Sequence, residues 1–404
     1  IVLHRAMEKV EYQEIVIVGG GISGLANALG FHRKGIKSVV LEQSETRRAT
    51  GAGLIMMANG WRALDILEVG DELRKNTVRS SGGYRVYENG RRETIPLGHG
   101  EIRCLKREEV IRVLSDSLPA GTIRYKCRVA AVKISENSRS MIHLEDGRII
   151  SARLVIGCDG VHSLVSNEIG LNPMKVSNTS VIRGFTDYTN GHGFAAELKI
   201  HTSERGQFGY IPISETSVYW FISRIQNLED EDIVEDKNRI LESAVEFVKN
   251  CGEEEREMVK KVDMKILGIT PNLYMRSPFE LLWNSFRKGM VTVAGDALHA
   301  MGPFQAQGGS LSLEDAVVLT RCAALCVSVG AEGVLIGKEM EAALDEYFYE
   351  RKMRLFWLML QTYFIGVLVC SIPSKMMRFV ILILMILIYG RDPDGHVNFD
   401  CGPS

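Results

Sequence analysis

Nothing in this sequence is spaced to hold a metal or a disulfide framework. The eight cysteines are Cys104, Cys127, Cys158, Cys251, Cys322, Cys326, Cys370 and Cys401; none form a CxxC pair, and none cluster at metal-ligand spacing. Free thiols in a reducing compartment are the expectation. An excess of one charge is missing too: the formal net charge is −2, which gives no basic surface for nucleic acid. No Ser-His-Asp arrangement and no metal-spaced histidine group stands out. A spanning apolar run is also lacking. FVILILMILIY, at 379–389, makes a helix of about 17 Å, well short of a ~30 Å hydrocarbon core.

What is present is an ordinary globular balance, 46% hydrophobic and 24% charged over 404 residues, with a length prior of about two to three domains. Met7 opens the approach to the first strand and is the expected natural start, with residues 1–6 extraneous and no leader peptide. Residues 14–42 read EIVIVGGGISGLANALGFHRKGIKSVVLE. Ile15–Val18 is a β-branched run suited to a strand covered on both faces. Gly19, Gly21 and Gly24 follow as G-x-G-x-x-G, then helical spacing from Ile22 to Lys34, a stop at Gly35, and a second strand ending at Glu42. The first glycine permits a tight turn, the second lets backbone approach a pyrophosphate, and the third lets the helix pack on the strand. The helix N-terminus favours an anion, and Glu42 can accept from ribose hydroxyls while repelling a 2′-phosphate. This unit predicts a bound dinucleotide without separating NAD from FAD.

Two further strand ends carry an aspartate. RLVIGCDGVHSLV (153–165) places Asp159–Gly160 after a buried run, and VTVAGDALHAMGPFQAQGGSLSLEDAVVL (291–319) places Gly295–Asp296 before a loop and a helix. The set GxGxxG, DG and GD…P…GG resembles the FAD-dependent aromatic hydroxylases, the single-component flavoprotein monooxygenases, over about residues 12–350. It is nearest to the plant enzymes related to salicylate hydroxylase and zeaxanthin epoxidase, in TGAGLIMMANGWRALDILEVGDELR (50–74), GGSLSLEDAVVL (308–319) and NFDCG (398–402).

That resemblance implies an α/β fold: a Rossmann-like three-layer FAD domain of the glutathione-reductase type, an inserted antiparallel substrate sheet and a helical C-terminal tail. The expected division is 11–80, 101–178 and 285–350 for FAD, 81–100 and 179–284 for substrate, and 351–404 for the tail. It implies FAD, NADPH or NADH as reductant, and O2, which forms a C4a-hydroperoxyflavin that hydroxylates or epoxidises an electron-rich aromatic or olefinic molecule in plant specialised metabolism. Carried onto this chain, Glu42 with Gln43 beside it meets the adenosine ribose, Arg48 and Arg107 the nucleotide, and Asp159–Gly160 both FAD and the nicotinamide cofactor. Gly295–Asp296 meets the ribityl chain, and Pro303 to Gly309, including Gln307 and Gly308, line the flavin ring over a helix starting near Ser310. No catalytic residue is named; Pro303, Phe304, Gln305 and Tyr210 are the flavin- or pocket-facing candidates. His299 is expected to hold the loop by a structural hydrogen bond.

Three departures from the family pattern stand out. Ala306-Gln307-Gly308 replaces Gly-Gln-Gly, Ser166 and Asn167 occupy a region that often carries arginine, and Asn59-Gly60 replaces Asn-Ala. Asn89–Gly90 between alternating runs predicts a type I′ hairpin, and GQFGYIPISETSVYWFISR (207–224 with its preceding Gly206) predicts sheet, with Phe208, Tyr210, Pro212, Tyr219, Trp220 and Phe221 as ring surfaces. The apolar stretches at 355–370 and 379–389 have two readings. One is a hairpin packed on the enzyme; the other is peripheral membrane contact through 355–390, with Lys375 and Arg378 at headgroups and a lipophilic substrate. Otherwise a cytoplasmic protein is expected, with oligomeric state open. A flavin-dependent dehydrogenase or oxidase, or a non-catalytic protein on the same scaffold, remain alternatives.

Overall fold

The structure is a computed structural model that describes residues 10–47, 52–95, 100–135, 139–227, 229–330, 333–336, 339–370, 397 and 399–402. Arg48, the 379–389 run with Lys375 and Arg378, and residues 1–6 lie outside the described residues. Two large sheets organise the rest. In the first, the order is Arg287–Lys288, Val291–Val293, Ile149–Gly157, Val10–Val18, Val39–Leu41, Ile123–Arg124. The central strands run parallel, with Val18 level with both Leu41 and Gly157, and Gly157 level with Val293. Ile15, Val16, Ile17, Val155, Ile156, Val291 and Val293 are buried, as apolar runs covered on both faces require.

Register has a direct consequence. The strand ends at Val18, Leu41, Gly157 and Val293 share one edge, so the turns that follow them — the glycine loop, Glu42, Asp159 and Asp296 — emerge side by side. This is the carboxyl edge at which doubly wound sheets bind ligands. The Ile22–Arg33 and Gly308–Ala324 helices pack against each other over this sheet.

The second sheet has seven strands, in the order Gly268–Thr270, Thr179–Asp187, Ser217–Ile225, Gly206–Pro212, Glu197–Ser203, Gly82–Tyr87, Arg92–Thr94. All its pairs are antiparallel except Glu197–Ser203 with Gly82–Tyr87. Alternation gives it two faces. Phe208, Tyr210, Val218, Trp220 and Ile222 pack with Ile240, Ala244, Met258 and Val259 from the helices Lys237–Phe247 and Glu253–Lys260. Phe185, Leu198, Ile211 and Tyr219 face the other way, toward Met57, Ile102 and Cys104.

Two local expectations are corrected. Asn89 is not among the residues with positive φ, whereas Gly90 has φ 79°. The Gly90 N–H donates to the Tyr87 carbonyl and the Tyr87 N–H to Arg91, so the hairpin turns through a type I turn with a left-handed glycine after it, not type I′. At the other end, the expected boundary at 350/351 falls inside one continuous helix, Met340–Cys370. No described helix is long and apolar enough to cross a membrane.

Candidate active site

Between the two sheets lies a cavity of about 410 Å³, within the range of small-molecule sites. Gly21, Ile22, Ser23, Arg107, Cys158, Gly160 and Asp296 line it from the parallel-sheet side. Val181, Arg183, Tyr219 and Phe221 line it from the second sheet, and Leu273 from a two-stranded ribbon of Lys175–Ser177 and Leu273–Met275. Gly53 to Met56 and the 301–312 segment, through Pro303, Ala306, Gly308 and Gly309, close the sides.

The glycine loop is shaped by contact. A Cβ at Gly24 would lie 1.9 Å from the Gly19 carbonyl oxygen, so only hydrogen lets the helix start this close to the strand. Gly295 has φ 64°, and a Cβ there would lie 2.6 Å from that of Ser23, so the GD turn passes directly against the first turn of the other helix. The two motifs therefore touch through Ser23.

Both helices present bare N-termini here. The Ile22–Arg33 helix has Gly21 as N-cap, and the Gly308–Ala324 helix has Gln307; neither has a side-chain cap or an acid in its first turn. Uncapped N–H groups at a helix start bind anions. Asp296 is exposed on the cavity wall and offers acceptors for hydroxyl groups. The Glu42 carboxylate is already ordered: its Oε2 accepts from Gly20 N–H at 2.7 Å and its Oε1 from Ser44 N–H at 2.8 Å. It sits beside the glycine loop and off the cavity lining, with Gln43 exposed next to it.

The family model described as an FAD binding domain matches residues 12–355. Monooxygenase 1 of Arabidopsis thaliana is 42% identical over 394 residues, covering 96% of this chain and 98% of that protein. Monooxygenase 2 of the same plant is 34% identical over 376 residues, covering 89% and 90%. Klebsiella pneumoniae HpxO, solved with FAD and uric acid, shares the fold at a TM-score of 0.76 and 19% identity, covering 95% of this chain and 96% of its own. The chain belongs to the FAD-dependent monooxygenases.

The cavity fits the cofactor of that family. A Cβ at Gly21 would meet only the Arg107 Nη2, at 4.0 Å, and one at Gly308 would meet nothing within 4 Å; both backbones lie open to the space a nucleotide needs. In an FAD-dependent monooxygenase, Gly21 to Ser23 with Arg107 would hold the pyrophosphate, Asp296 the ribityl hydroxyls, and Gly308 to Ser310 the ring edge that carries negative charge when reduced.

The Asp159 carboxylate is spent locally. It accepts from Ser163 Oγ at 2.5 Å and from the Leu164 and Val165 N–H groups at 2.8 and 3.2 Å, so it fastens the start of the Leu164–Glu168 helix, while Gly160 reaches the cavity. Ser166, where an arginine is often found, donates to the Ala297 carbonyl at 2.5 Å, tying that helix to the turn after Asp296. Burial pushes the Cys158 thiol up to about 12, which removes it as a nucleophile.

Of the four pocket candidates, the cavity takes Pro303. Tyr210 is corrected: it is level with Trp220 and shares that residue's helix-covered face, away from the cavity. Gln305 is also turned away, its Oε1 accepting from Thr362 Oγ1 at 2.5 Å. The Phe304 ring lies against Gly302 and Gly366, toward the Met340–Cys370 helix. Gln307 lies in the loop but turns its buried side chain inward, onto Asn59, and is not part of the cavity lining, against expectation.

Under the loop sits a charge cluster that the sequence reading missed. Arg351 donates to Glu314 at 2.6 Å and to Asp315 at 2.8 Å, and Arg354 donates to Glu314 at 2.6 Å. Asp315 Oδ2 also takes the Gly295 N–H at 2.9 Å and His299 Nε2 at 2.7 Å. His299 is therefore structural, bonded to the helix and not to the loop. Burial alone would raise both carboxyls. The two arginines hold Glu314 below its ordinary range, and His299 with Arg351 holds Asp315 at about 2. Phe399 lies under Arg354 at 4.1 Å and Arg351 at 5.3 Å, and Arg62 donates to its carbonyl at 2.8 Å, so Phe399 closes over the cluster.

Proposed function

We propose that this monooxygenase takes electrons from NADPH or NADH and uses O2 to hydroxylate or epoxidise an electron-rich aromatic or olefinic small molecule, in the specialised metabolism of a plant. The observation that carries this reading is the division of one cavity: polar donors and Asp296 at the nucleotide side, and Val181, Tyr219, Phe221, Leu273 and Leu54 on the walls facing it. Bound FAD supplies electron transfer and oxygen activation. The chain's own groups bind and position. The backbone N–H groups opening the Gly308–Ala324 helix stabilise negative charge on the ring, and the apolar walls exclude water and hold the substrate. Structural relatives fit a small-molecule substrate: HpxO was solved with uric acid, and Pseudomonas aeruginosa PqsL with 2-aminobenzoylacetate.

The test is oxygen labelling. The purified holoenzyme is supplied with NADPH or NADH, 18O2 and a panel of phenols, indoles, alkaloids and terpenoids, and product mass is read alongside peroxide. One labelled oxygen per product is expected. Unlabelled product would assign a dehydrogenase or oxidase, and a protein that takes up no FAD would assign a binding role.

Peripheral membrane contact is favoured by exposed apolar side chains on adjoining elements: Phe279 and Trp283 beside Tyr349, Met353 and Trp357 of the Met340–Cys370 helix. Interfacial aromatics and apolar side chains of this kind suit a bilayer surface. Co-sedimentation with phosphatidylcholine vesicles tests it; a protein left in the supernatant at all lipid concentrations argues for a cytoplasmic enzyme without that contact.

A further inference from the structure

The flavin loop turns on a residue whose own side chain opposes the turn. Ala306 follows the short Pro303–Gln305 turn at φ 54° and ψ 28°, a left-handed backbone that a Cβ disfavours. A residue in that region persists only where its surroundings fix it. Its neighbours supply the restraint. On one side, Gln305 Oε1 accepts from Thr362 Oγ1 at 2.5 Å, and Thr362 is buried in the Met340–Cys370 helix. On the other, Gln307 Oε1 accepts from Asn59 Nδ2 at 2.8 Å, and Gln307 Nε2 donates to Met57 Sδ at 3.2 Å. Phe304 adds a wedge. A Cβ on Gly302 or on Gly366 would lie 2.6 Å from its ring, so the ring fits between a loop glycine and a glycine of the same long helix. Of residues 303–307, only Pro303 and Ala306 line the cavity; the side chains of the other three are anchored elsewhere.

These anchors fix a direction. Ala306 lies two residues before Gly308, where the uncapped N–H groups of the Gly308–Ala324 helix begin, so the left-handed turn sets where those donors point. Ordering two long glutamine side chains costs rotamer freedom. The loop they hold is not core, since Pro303 is exposed and Ala306 half-buried, and packing alone gives no reason for them. We propose that Thr362 and Gln305 are positioning residues for the flavin. Their bond holds the Ala306 turn, and thereby keeps the Gly308 to Ser310 N–H groups aimed at the ring edge that becomes negative on reduction. The Met340–Cys370 helix also grips the Gly308–Ala324 helix through Arg351, which donates to Glu314 and Asp315. One element thus holds both the loop and the helix behind it. The inference rests on the placement of the flavin given above.

The test measures FAD affinity, by titration of flavin-free protein, and the two-electron reduction potential of the loaded enzyme. Thr362→Val keeps the branched shape and removes the bond. It should weaken FAD binding about tenfold and lower the potential by about 30 mV, a further tenfold loss for reduced over oxidised flavin. Thr362→Ser keeps the hydroxyl and should stay within about threefold of the parent in affinity. Gln305→Met removes the same bond from the loop side and should match Thr362→Val; it carries the test if the buried valine does not fold. With Ala306→Gly the turn no longer needs holding, and adding Thr362→Val should then change affinity by less than about threefold. Melting temperatures report stability separately. The proposal is overturned if Thr362→Val and Gln305→Met lower stability or affinity but leave the potential where it was. It is also overturned if serine does no better than valine, or if the loss is as large with glycine at 306. Failure of the flavin placement shows separately: Gly308→Ala, whose methyl would meet nothing within 4 Å of the chain, would then leave both readouts at the parent's values.

Discussion

The Asn59 side-chain amide donates to Gln307 Oε1 at 2.8 Å and to Glu314 Oε1 at 2.7 Å. Asn59 belongs to the Ala58–Ile66 helix, Gln307 immediately precedes the Gly308–Ala324 helix at the flavin loop, and all three residues are buried. A single amide thus joins the loop to the charge cluster beneath it. Asn59→Leu keeps the heavy-atom count and removes both bonds; Glu314 Oε1 keeps Arg354 as a donor, and Gln307 Oε1 loses its own at about 1–3 kcal/mol. Thermal stability should fall, and FAD should dissociate roughly tenfold more readily, about 1.4 kcal/mol. Titration of FAD into flavin-free protein checks this; an unchanged affinity in a destabilised protein would leave Asn59 as scaffold alone.

Ala306 is in the left-handed region, at φ 54° and ψ 28°, where the family pattern has glycine. A Cβ in that conformation costs about 1–2 kcal/mol. Ala306→Gly should therefore stabilise the protein by about 1 kcal/mol, less the unfolded-state entropy that glycine adds back. Ala306→Val should destabilise it further than alanine does. Urea unfolding of the three proteins reads the order Gly, Ala, Val directly, and a glycine variant less stable than the parent would mean that the methyl packing outweighs the strain.

The parts of the fold that sequence reveals are those whose signals are local. The Val10–Val18 strand, its glycine turn and the Ile22–Arg33 helix announce themselves by one change of period, and the 291–324 segment does the same. Tyr210 shows the limit. Alternation puts Phe208, Tyr210 and Pro212 on one side of a strand, but only pairing with Trp220 and the covering helices says which side is the cavity. Arg183 reads in sequence as a lone charge in an apolar strand; alternation puts it on one face with Phe185, and the pairing with Phe221 shows that this is the cavity face. Glu314, Asp315, Arg351 and Arg354 look like solvated helix faces in sequence. They become a buried cluster only because two helices distant along the chain face each other. Asp296 and Gly308 read as site residues because a strand end and a glycine-rich helix start are backbone features.

Asp315 sets an acid limit. His299 and Arg351 hold its folded-state carboxyl at about 2, below the ~3.9 of an unfolded aspartate. A depressed carboxyl stabilises the fold fully above the unfolded value, and this contribution fades as pH falls from about 4 to 2. Glu255 behaves alike: bonding to His201 and Lys199 outweighs burial and holds it at about 2, so it adds to the loss below pH ~4.5. Melting temperature should thus drop steeply between pH 4.5 and 2. Asp315→Asn should be less stable at pH 7, by about 3–5 kcal/mol for breaking a buried pair, and should show a shallower drop in that window. An equal slope in both proteins would show that Asp315 titrates normally.

Two glycines of one motif separate cofactor binding from folding. Gly24 faces backbone, with its Cβ position 1.9 Å from the Gly19 oxygen, and no rotamer change relieves that. Gly24→Ala must push the helix off the strand, at about 1–3 kcal/mol or more, and should lower both stability and FAD content. Gly21 faces the cavity, with the nearest atom 4.0 Å away on Arg107, and its φ of −79° suits any residue. Gly21→Ala should fold with stability within about 0.5 kcal/mol of the parent. It should still lose FAD affinity by at least about tenfold, because the methyl group occupies the close approach a pyrophosphate needs. The measurement pairs urea unfolding of the flavin-free proteins with FAD titration. If Gly21→Ala bound FAD as the parent does, the space over Gly21 would not be where the dinucleotide lies, and the assignment of the cavity's polar side would fall with it.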